Sequence, residues 1–205
     1  MIPVSKQPEP ASFDRNVRQP GQIYLASNPS PTFKRSFRYW TRATADLNAA
    51  YKQICAYSCT YLATPGSVDH FMPKSRRPDL AYEWDNYRLA LPRINSHKGN
   101  GTDVIDPFVV QSGWFIIDFP SCLIKAGQSL HRVRVDQINK TIKSLKLNDD
   151  DVLVQERCNI MLEFANGDIS LPFLKRRYPF LASEIVRHGI ETTAHTLFKT
   201  RTTST

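Results

Sequence analysis

The chain has 205 residues, 41% hydrophobic and 22% charged, an ordinary globular composition that suits one domain or one small domain with appendages. No apolar run is long enough for a membrane helix, Met1 to Pro10 holds no signal-peptide core, and four scattered cysteines are too few for a disulfide scaffold, so a reducing cytoplasm is expected. The formal net charge of +8 favours a polyanionic partner without specifying one.

Residues 1 to 35 are rich in Pro, Ser, Asn and Gln, with prolines at 3, 8, 10, 20, 29 and 31. They read as an extended arm, made basic by Arg15, Arg18, Lys34 and Arg35, that wraps the body or stays mobile. From Ser36 to Ile54, Phe37, Trp40, Ala43, Leu47, Ala50, Tyr51 and Ile54 recur at steps of three and four, which predicts an amphipathic helix. Cys55 to Tyr61 reads as a short strand or turn, Ala63-Thr64-Pro65-Gly66 as a turn, and Ser67 to Phe71 as a strand. Residues 72 to 83 make a loop with the basic cluster Lys74, Arg76 and Arg77, and Asn95 opens a short helix that Gly99 and Gly101 stop. Val104 to Phe108 and Trp114 to Phe119 read as strands or extended packing segments. The remainder is helical. Val135 to Lys146 places Val135, Ile138, Ile142 and Leu145 on one face. Asn148 is the expected N-cap of a helix running to about Ala165, with Asp149, Asp150 and Asp151 complementing its positive end and Asn166-Gly167 closing it. A last helix follows Tyr178-Pro179 and stops at Gly189, and the tail 190–205 is expected to fray.

The chemistry-bearing residues concentrate between Cys55 and Lys98. Val68-Asp69-His70 is followed by Trp84-Asp85-Asn86 and then by Asn95-Ser96-His97-Lys98. Carboxylate and amide oxygens suit a hard divalent cation such as Mg²⁺. A neutral imidazole suits activation of water near neutral pH, and a lysine suits a phosphate as a point charge. Together these residue types point to metal-assisted phosphodiester hydrolysis. Trp84 and Tyr87 read as core residues rather than base-stacking platforms.

On these residues the sequence resembles the HNH nucleases, the ββα-metal family. The wording Asp69-His70-Phe71-Met72-Pro73-Lys74, with Trp84-Asp85-Asn86-Tyr87-Arg88-Leu89-Ala90 after it, is similar to one branch, which includes the HNH subunit of the Septu anti-phage system and of retron-linked systems. The resemblance extends upstream to Cys55-Ala56-Tyr57-Ser58-Cys59 and, more weakly, downstream to Leu145-Lys146-Leu147-Asn148 and Arg157. It implies an α+β fold: a ββα-metal core embedded in a mainly helical protein, with residues 1–35 as a basic arm, 36–110 as helix plus nuclease core, and 111–205 as a helical scaffold or partner-docking region. It implies His70 as general base, Asp69 and Asn95 as ligands of Mg²⁺ or Mn²⁺, and Asn86 as a supporting catalytic residue that ties the loop by backbone hydrogen bonds and aims His70. Lys98, His97, Lys74, Arg76 and Arg77 are the expected phosphate or DNA contacts. Many relatives carry two cysteine pairs around a structural zinc. Here only Cys55 and Cys59 remain, and Leu91 and Ile94 stand at the second pair, so no structural zinc is expected, since two thiolates do not close a four-coordinate site.

The expectation from the resemblance is therefore a metal-dependent endonuclease acting on DNA, a bacterial defence effector controlled by a separately encoded ATPase, with no membrane association. The rival from another class is a catalytically degenerate HNH-fold subunit that binds nucleic acid or serves assembly.

Overall fold

The computed structural model describes residues 1–198. It combines helices with two small antiparallel sheets, an α+β composition, and divides into two compact units. One unit comprises Val4–Tyr57 and Leu62–Thr102; the other comprises Met1–Pro3, Ser58–Tyr61 and Asp103–Thr205. No helix among the described residues is long and apolar enough to cross a membrane.

The first unit starts with a correction. Residues 1–35 are not an extended arm throughout: a π-helical turn at Asp14–Arg18 runs into helix α1, Gln19–Ala26. Phe13, Val17, Gly21 and Tyr24 come at steps of four and three and are all buried. Pro20 sits in the first turn of α1, where a missing N–H costs nothing. Gly21 lies directly against the Tyr82 ring; a Cβ there would come within 2.1 Å of it, so only glycine lets this helix close on the core. Arg18 fastens the segment through ion pairs to Glu9, Asp14 and Glu83.

The helix expected over Ser36 to Ile54 is broken into pieces. Arg35–Phe37 and Tyr39–Ala43 are 3₁₀ turns, and α2 spans only Thr44–Ala50. Phe37, Trp40 and Ala43 recur every three residues, which is the 3₁₀ period. Lys52 and Gln53 then take left-handed backbone, with φ of 53° and 57°, and end the helical run.

Next come β1, Ser67–His70, the long loop, β2, Tyr87–Ala90, and α3, Pro92–Lys98. The strands pair antiparallel, Asp69 opposite Arg88 and His70 opposite Tyr87. β2 is buried along its whole length, and Arg88 is tolerated there because its guanidinium donates to the Asp85 and Tyr87 carbonyls and covers the Phe71 ring. Helix α3 begins three residues earlier than expected, at Pro92 in its favoured first-turn position, so Asn95 lies inside the helix rather than at its cap. Gly99, at φ 50°, stops it.

In the second unit a hairpin, β3 Phe115–Asp118 and β4 Leu123–Ala126, sits among helices α4 Arg132–Ser144, α5 Asp151–Asn166, α6 Leu171–Arg177, α7 Pro179–His188 and α8 Ala194–Phe198. Val104 to Phe108 forms no strand; Pro107–Val109 is a 3₁₀ turn. Asp150, not Asn148, caps α5. The Asn148 amide is occupied by both backbone groups of Ile124, at 2.9 and 2.8 Å, where it seals the open side of β4. Helix α6 falls in the stretch expected to be helical, whereas β4 is a strand within it. Of the tail expected to fray, Ala194 is buried in α8, and the part past residue 198 lies outside the described residues.

Candidate active site

All of the chemistry-bearing residues of the Asp-His, Asn and Asn-Ser-His-Lys words fall in the first unit, on β1, the loop, β2 and α3. Successive residues of a strand face opposite sides. His70 accordingly meets the Trp40 and Tyr87 rings, edge-to-face at 4.9 and 5.3 Å, while Asp69 meets Tyr57 and Lys98.

His70 is 6% exposed, and its Nε2 lies 2.9 Å from the Ala81 carbonyl. A carbonyl only accepts, so Nε2 carries the hydrogen and Nδ1 is left with its lone pair. Burial first, and then the Lys74 charge, hold the imidazole down to about 3, against a smaller upward pull from the Ala81 bond. The ring is therefore neutral at pH 7, and its Nδ1 lone pair makes no hydrogen bond among the described residues.

The loop that supplies Ala81 is tied by Asn86. Its Oδ1 accepts from Met72 N at 2.8 Å, and its Nδ2 donates to Met72 O and Leu80 O, both at 3.0 Å. Tyr87 adds a hydroxyl bond to Ala81 O at 2.9 Å. The carbonyl that fixes the His70 tautomer is thus held by residues from both ends of the loop.

Asp69 is 2% exposed, and each of its carboxylate oxygens accepts one hydrogen bond. Lys98 Nζ donates to its Oδ1 at 2.9 Å, and the Tyr57 hydroxyl donates to its Oδ2. The same ammonium donates to the His70 carbonyl at 2.9 Å, and the Lys98 side chain is fully buried. Asn95 turns its Nδ2 to Ser67 Oγ and Val68 O, at 2.9 and 3.2 Å, bracing α3 against β1. Since the Val68 carbonyl can only accept, the amide orientation is fixed, and its Oδ1 takes no bond from a described residue.

The expected phosphate contacts divide. Lys98 is inside, committed to Asp69. Arg77 is exposed and paired with Asp79 at 2.9 Å, so its charge is largely spent locally. Arg76 is exposed and reaches Thr102 Oγ1 at 3.3 Å, and His97 is half-buried on α3. Lys74 is half-buried, with its ammonium 5.3 Å from the Trp40 ring centre and no ion pair to a described residue. Its own pKa is lowered, by burial first and then by the charge of Arg38.

Three contributors escaped the sequence reading. In the sequence Trp40 reads as part of an apolar helix face and Tyr57 as part of a strand or turn, and Arg38 carries no signal of its own. Nothing local in the sequence signals that the Tyr57 hydroxyl reaches Asp69 or that Arg38 adds its field to that of Lys74. Where the resemblance implies the lost zinc site, Cys55 Sγ accepts from Leu91 N at 3.3 Å and Ile94 is fully buried. Cys59 belongs to the other unit.

Hard oxygen donors suited to Mg²⁺ are present in Asp69 and in the unengaged Asn95 amide oxygen, but the Asp69 charge is already balanced by Lys98. Compared with known protein families and with curated proteins, the sequence matches none.

Proposed function

We propose that this chain is a metal-dependent HNH-type endonuclease that hydrolyses phosphodiester bonds in DNA, the nuclease effector of a bacterial anti-phage system controlled by a partner ATPase. The observation that carries the reading is His70: a buried imidazole whose Nε2–H is fixed on Ala81 O, so that Nδ1 is the ring position left to accept a proton. A purely structural histidine has no need of a loop braced by Asn86 and Tyr87 to set its tautomer. The order strand, loop, strand, helix, with Asp-His closing β1 and Asn-Ser-His-Lys closing α3, supports the same reading.

His70 Nδ1 would take a proton from the attacking water, a role that supplies roughly 10²–10⁴-fold in rate. Lys74 would hold a phosphate oxygen, and a phosphate there would offset the second of the influences that depress His70. Asp69 and the Asn95 amide oxygen would hold Mg²⁺ or Mn²⁺, which when bound polarises the phosphoryl group and stabilises the leaving oxygen. Asn86 keeps the loop, and through Ala81 the base, in register.

The Lys98–Asp69 ion pair favours a second reading, a nucleic-acid-binding or assembly subunit whose ligand carboxylate is permanently neutralised. Supercoiled plasmid incubated with the purified chain and any ATPase encoded beside it, with and without Mg²⁺, separates the two. Mg²⁺-dependent nicking that disappears in His70→Gln supports the nuclease; plasmid binding with no cleavage under either condition supports the second reading.

A further inference from the structure

The first unit carries a cavity of about 520 Å³ that is lined by none of Asp69, His70, Asn86, Asn95 and Lys98. It is lined by Pro29, Pro31 and Phe33 and by Lys74, Ser75 and Pro78, together with Asn100 just beyond α3. The size is that of a small-ligand site, which typically runs roughly 300–1,000 Å³.

The lining has a definite chemistry. Prolines hold their backbone φ fixed, so the Pro29–Phe33 wall is preformed. Phe33 packs against Trp40 and Tyr82, at 5.8 and 6.2 Å, which stiffens it further. Proline and phenylalanine rings, hydroxyl and amide groups, and a lysine that makes no ion pair with a described residue fit a molecule with a planar ring and a phosphate. Lys74 supplies the cation and Arg38 reinforces its field. The Trp40 ring connects this cavity to the base: it contacts His70 on one side, Lys74 on another and Phe33 on a third.

We infer that this cavity binds one unstacked nucleotide of a single-stranded nucleic acid, its base between the Pro29–Phe33 and Lys74–Pro78 walls and its phosphate on Lys74, beside the bond presented to His70. The inference rests on the nuclease reading for that last clause alone. A base inside a duplex cannot enter a concave site of this kind, so the cavity selects single-stranded or locally opened DNA. It also gives the arm residues Pro29 to Phe33 a binding function instead of a merely structural one.

The test is binding of a fluorescein-labelled oligothymidylate by anisotropy in EDTA, so that no cleavage occurs. The parent should bind it at least tenfold more tightly than a blunt duplex of equal length or an abasic strand of equal charge, base stacking being worth roughly 5- to 150-fold per base. Lys74→Met should weaken both strands and lower the single-strand salt slope by about 0.7. Phe33→Leu, which keeps an apolar contact with Trp40, should weaken only the base-bearing strand, and Asn100→Ala, at the exposed edge, provides a second variant with little risk to folding. Equal affinity for abasic and base-bearing strands, preference for the duplex, or displacement of the strand by equimolar thymidine monophosphate would each overturn the inference. Selective binding without any cleavage in Mg²⁺ would leave the cavity standing and sink the nuclease reading; Mg²⁺-dependent cleavage by a parent chain that binds base-bearing and abasic strands equally would do the reverse.

Discussion

Lys98 Nζ stands 2.9 Å from Asp69 Oδ1, with the lysine side chain fully buried and the aspartate carboxylate 2% exposed. The ammonium does for this carboxylate what a bound cation would do: it balances the charge in a site with almost no water. It also ties β1 to the last turn of α3 by donating to the His70 carbonyl. A divalent cation at Asp69 must therefore compete with a residue of the protein itself.

That competition is measurable in Lys98→Met. Removing one partner of a buried ion pair costs about 3–5 kcal/mol, because the other charge is left uncompensated. The variant should be destabilised by that order in EDTA and should recover much of the loss in Mn²⁺, since a cation can then take the vacated place. The parent should gain far less from the same Mn²⁺ concentration. Thermal unfolding of both proteins with and without Mn²⁺ provides the comparison, and equal Mn²⁺-induced shifts in Tm would show that Lys98 does not guard the site.

His70 requires a substitution chosen for its surroundings. At the end of a strand a histidine reads as contributing little packing, but this ring is buried between Trp40 and Tyr87 and bonded to Ala81. His70→Ala would open a cavity and release the loop carbonyl. His70→Gln retains volume and an N–H for Ala81 while removing the base. Cleavage should fall by about 10²–10⁴-fold, with helical signal and Tm close to the parent. A variant that keeps the parental rate would remove His70 from the mechanism.

How far the sequence revealed this site depends on which interactions are local. β1 and the stop at Gly99 were readable because turn residues bracket a short apolar run and glycine marks the helix end, whereas the partner strand of β1 lies at Tyr87–Ala90 and not in Cys55 to Tyr61. The Pro-rich first segment hid a helix, since Pro10 and Pro20 read as breakers although Pro20 occupies the one turn that accepts it, and the Phe13, Val17, Tyr24 spacing was already helical. The split of Ser36 to Ile54 was hidden by ambiguity of period: steps of three at Phe37, Trp40 and Ala43 serve a 3₁₀ turn as well as an α-helix. Partners were the least readable. Lys98 looked like a surface phosphate contact because nothing in Asn95-Ser96-His97-Lys98 reports that a carboxylate and a tyrosine hydroxyl await it from distant segments. Asn148, an N-cap by its position before three aspartates, was taken by β4, and Asp150 capped α5 instead.

Acid stability follows from the depressed His70. In the unfolded chain a histidine titrates near 6.5, and in the fold this one is held to about 3 by burial and the Lys74 charge. Between those values the unfolded state binds the extra proton, so stability is fully present above about pH 6.5 and is lost as the pH falls toward 3. The slope from this group is at most about 1.4 kcal/mol per pH unit. Urea unfolding in EDTA at pH 7, 6, 5 and 4 should show the parent losing stability faster than His70→Gln. Parallel profiles would mean that His70 is not held neutral in the fold.

The absence of a structural zinc, expected from the resemblance, is testable by composition. With Ile94 fully buried and the Cys55 thiol engaged by Leu91 N, the purified chain should carry well under one equivalent of zinc, and a strong chelator should leave its helical signal unchanged. Stoichiometric zinc by elemental analysis, together with loss of helix on chelation, would overturn the assignment of Leu91 and Ile94 as apolar substitutes.

The proposed ATPase partner needs a surface, and helix α5 offers the most definite one. Asp151, Val152, Gln155, Glu156, Asn159, Ile160 and Glu163 line an open groove along it. Val152 is 55% exposed, and Asp151, Glu156 and Glu163 make an acidic stripe on a chain of net charge +8, a face unsuited to DNA and suited to a basic protein surface. Truncation after Asp168 would be a poor test, because it deletes Leu174, Phe180, Leu181 and Ile185 from the core of the second unit. Val152→Lys with Glu163→Lys changes only the outer face. Co-expressed with the neighbouring ATPase, the parent should co-purify as a stable complex, and the double variant should lose the ATPase while keeping its fold and its affinity for the oligothymidylate probe. If the double variant retains the complex, α5 is not the docking helix; if the parent purifies alone as an active nuclease, control by an ATPase is excluded.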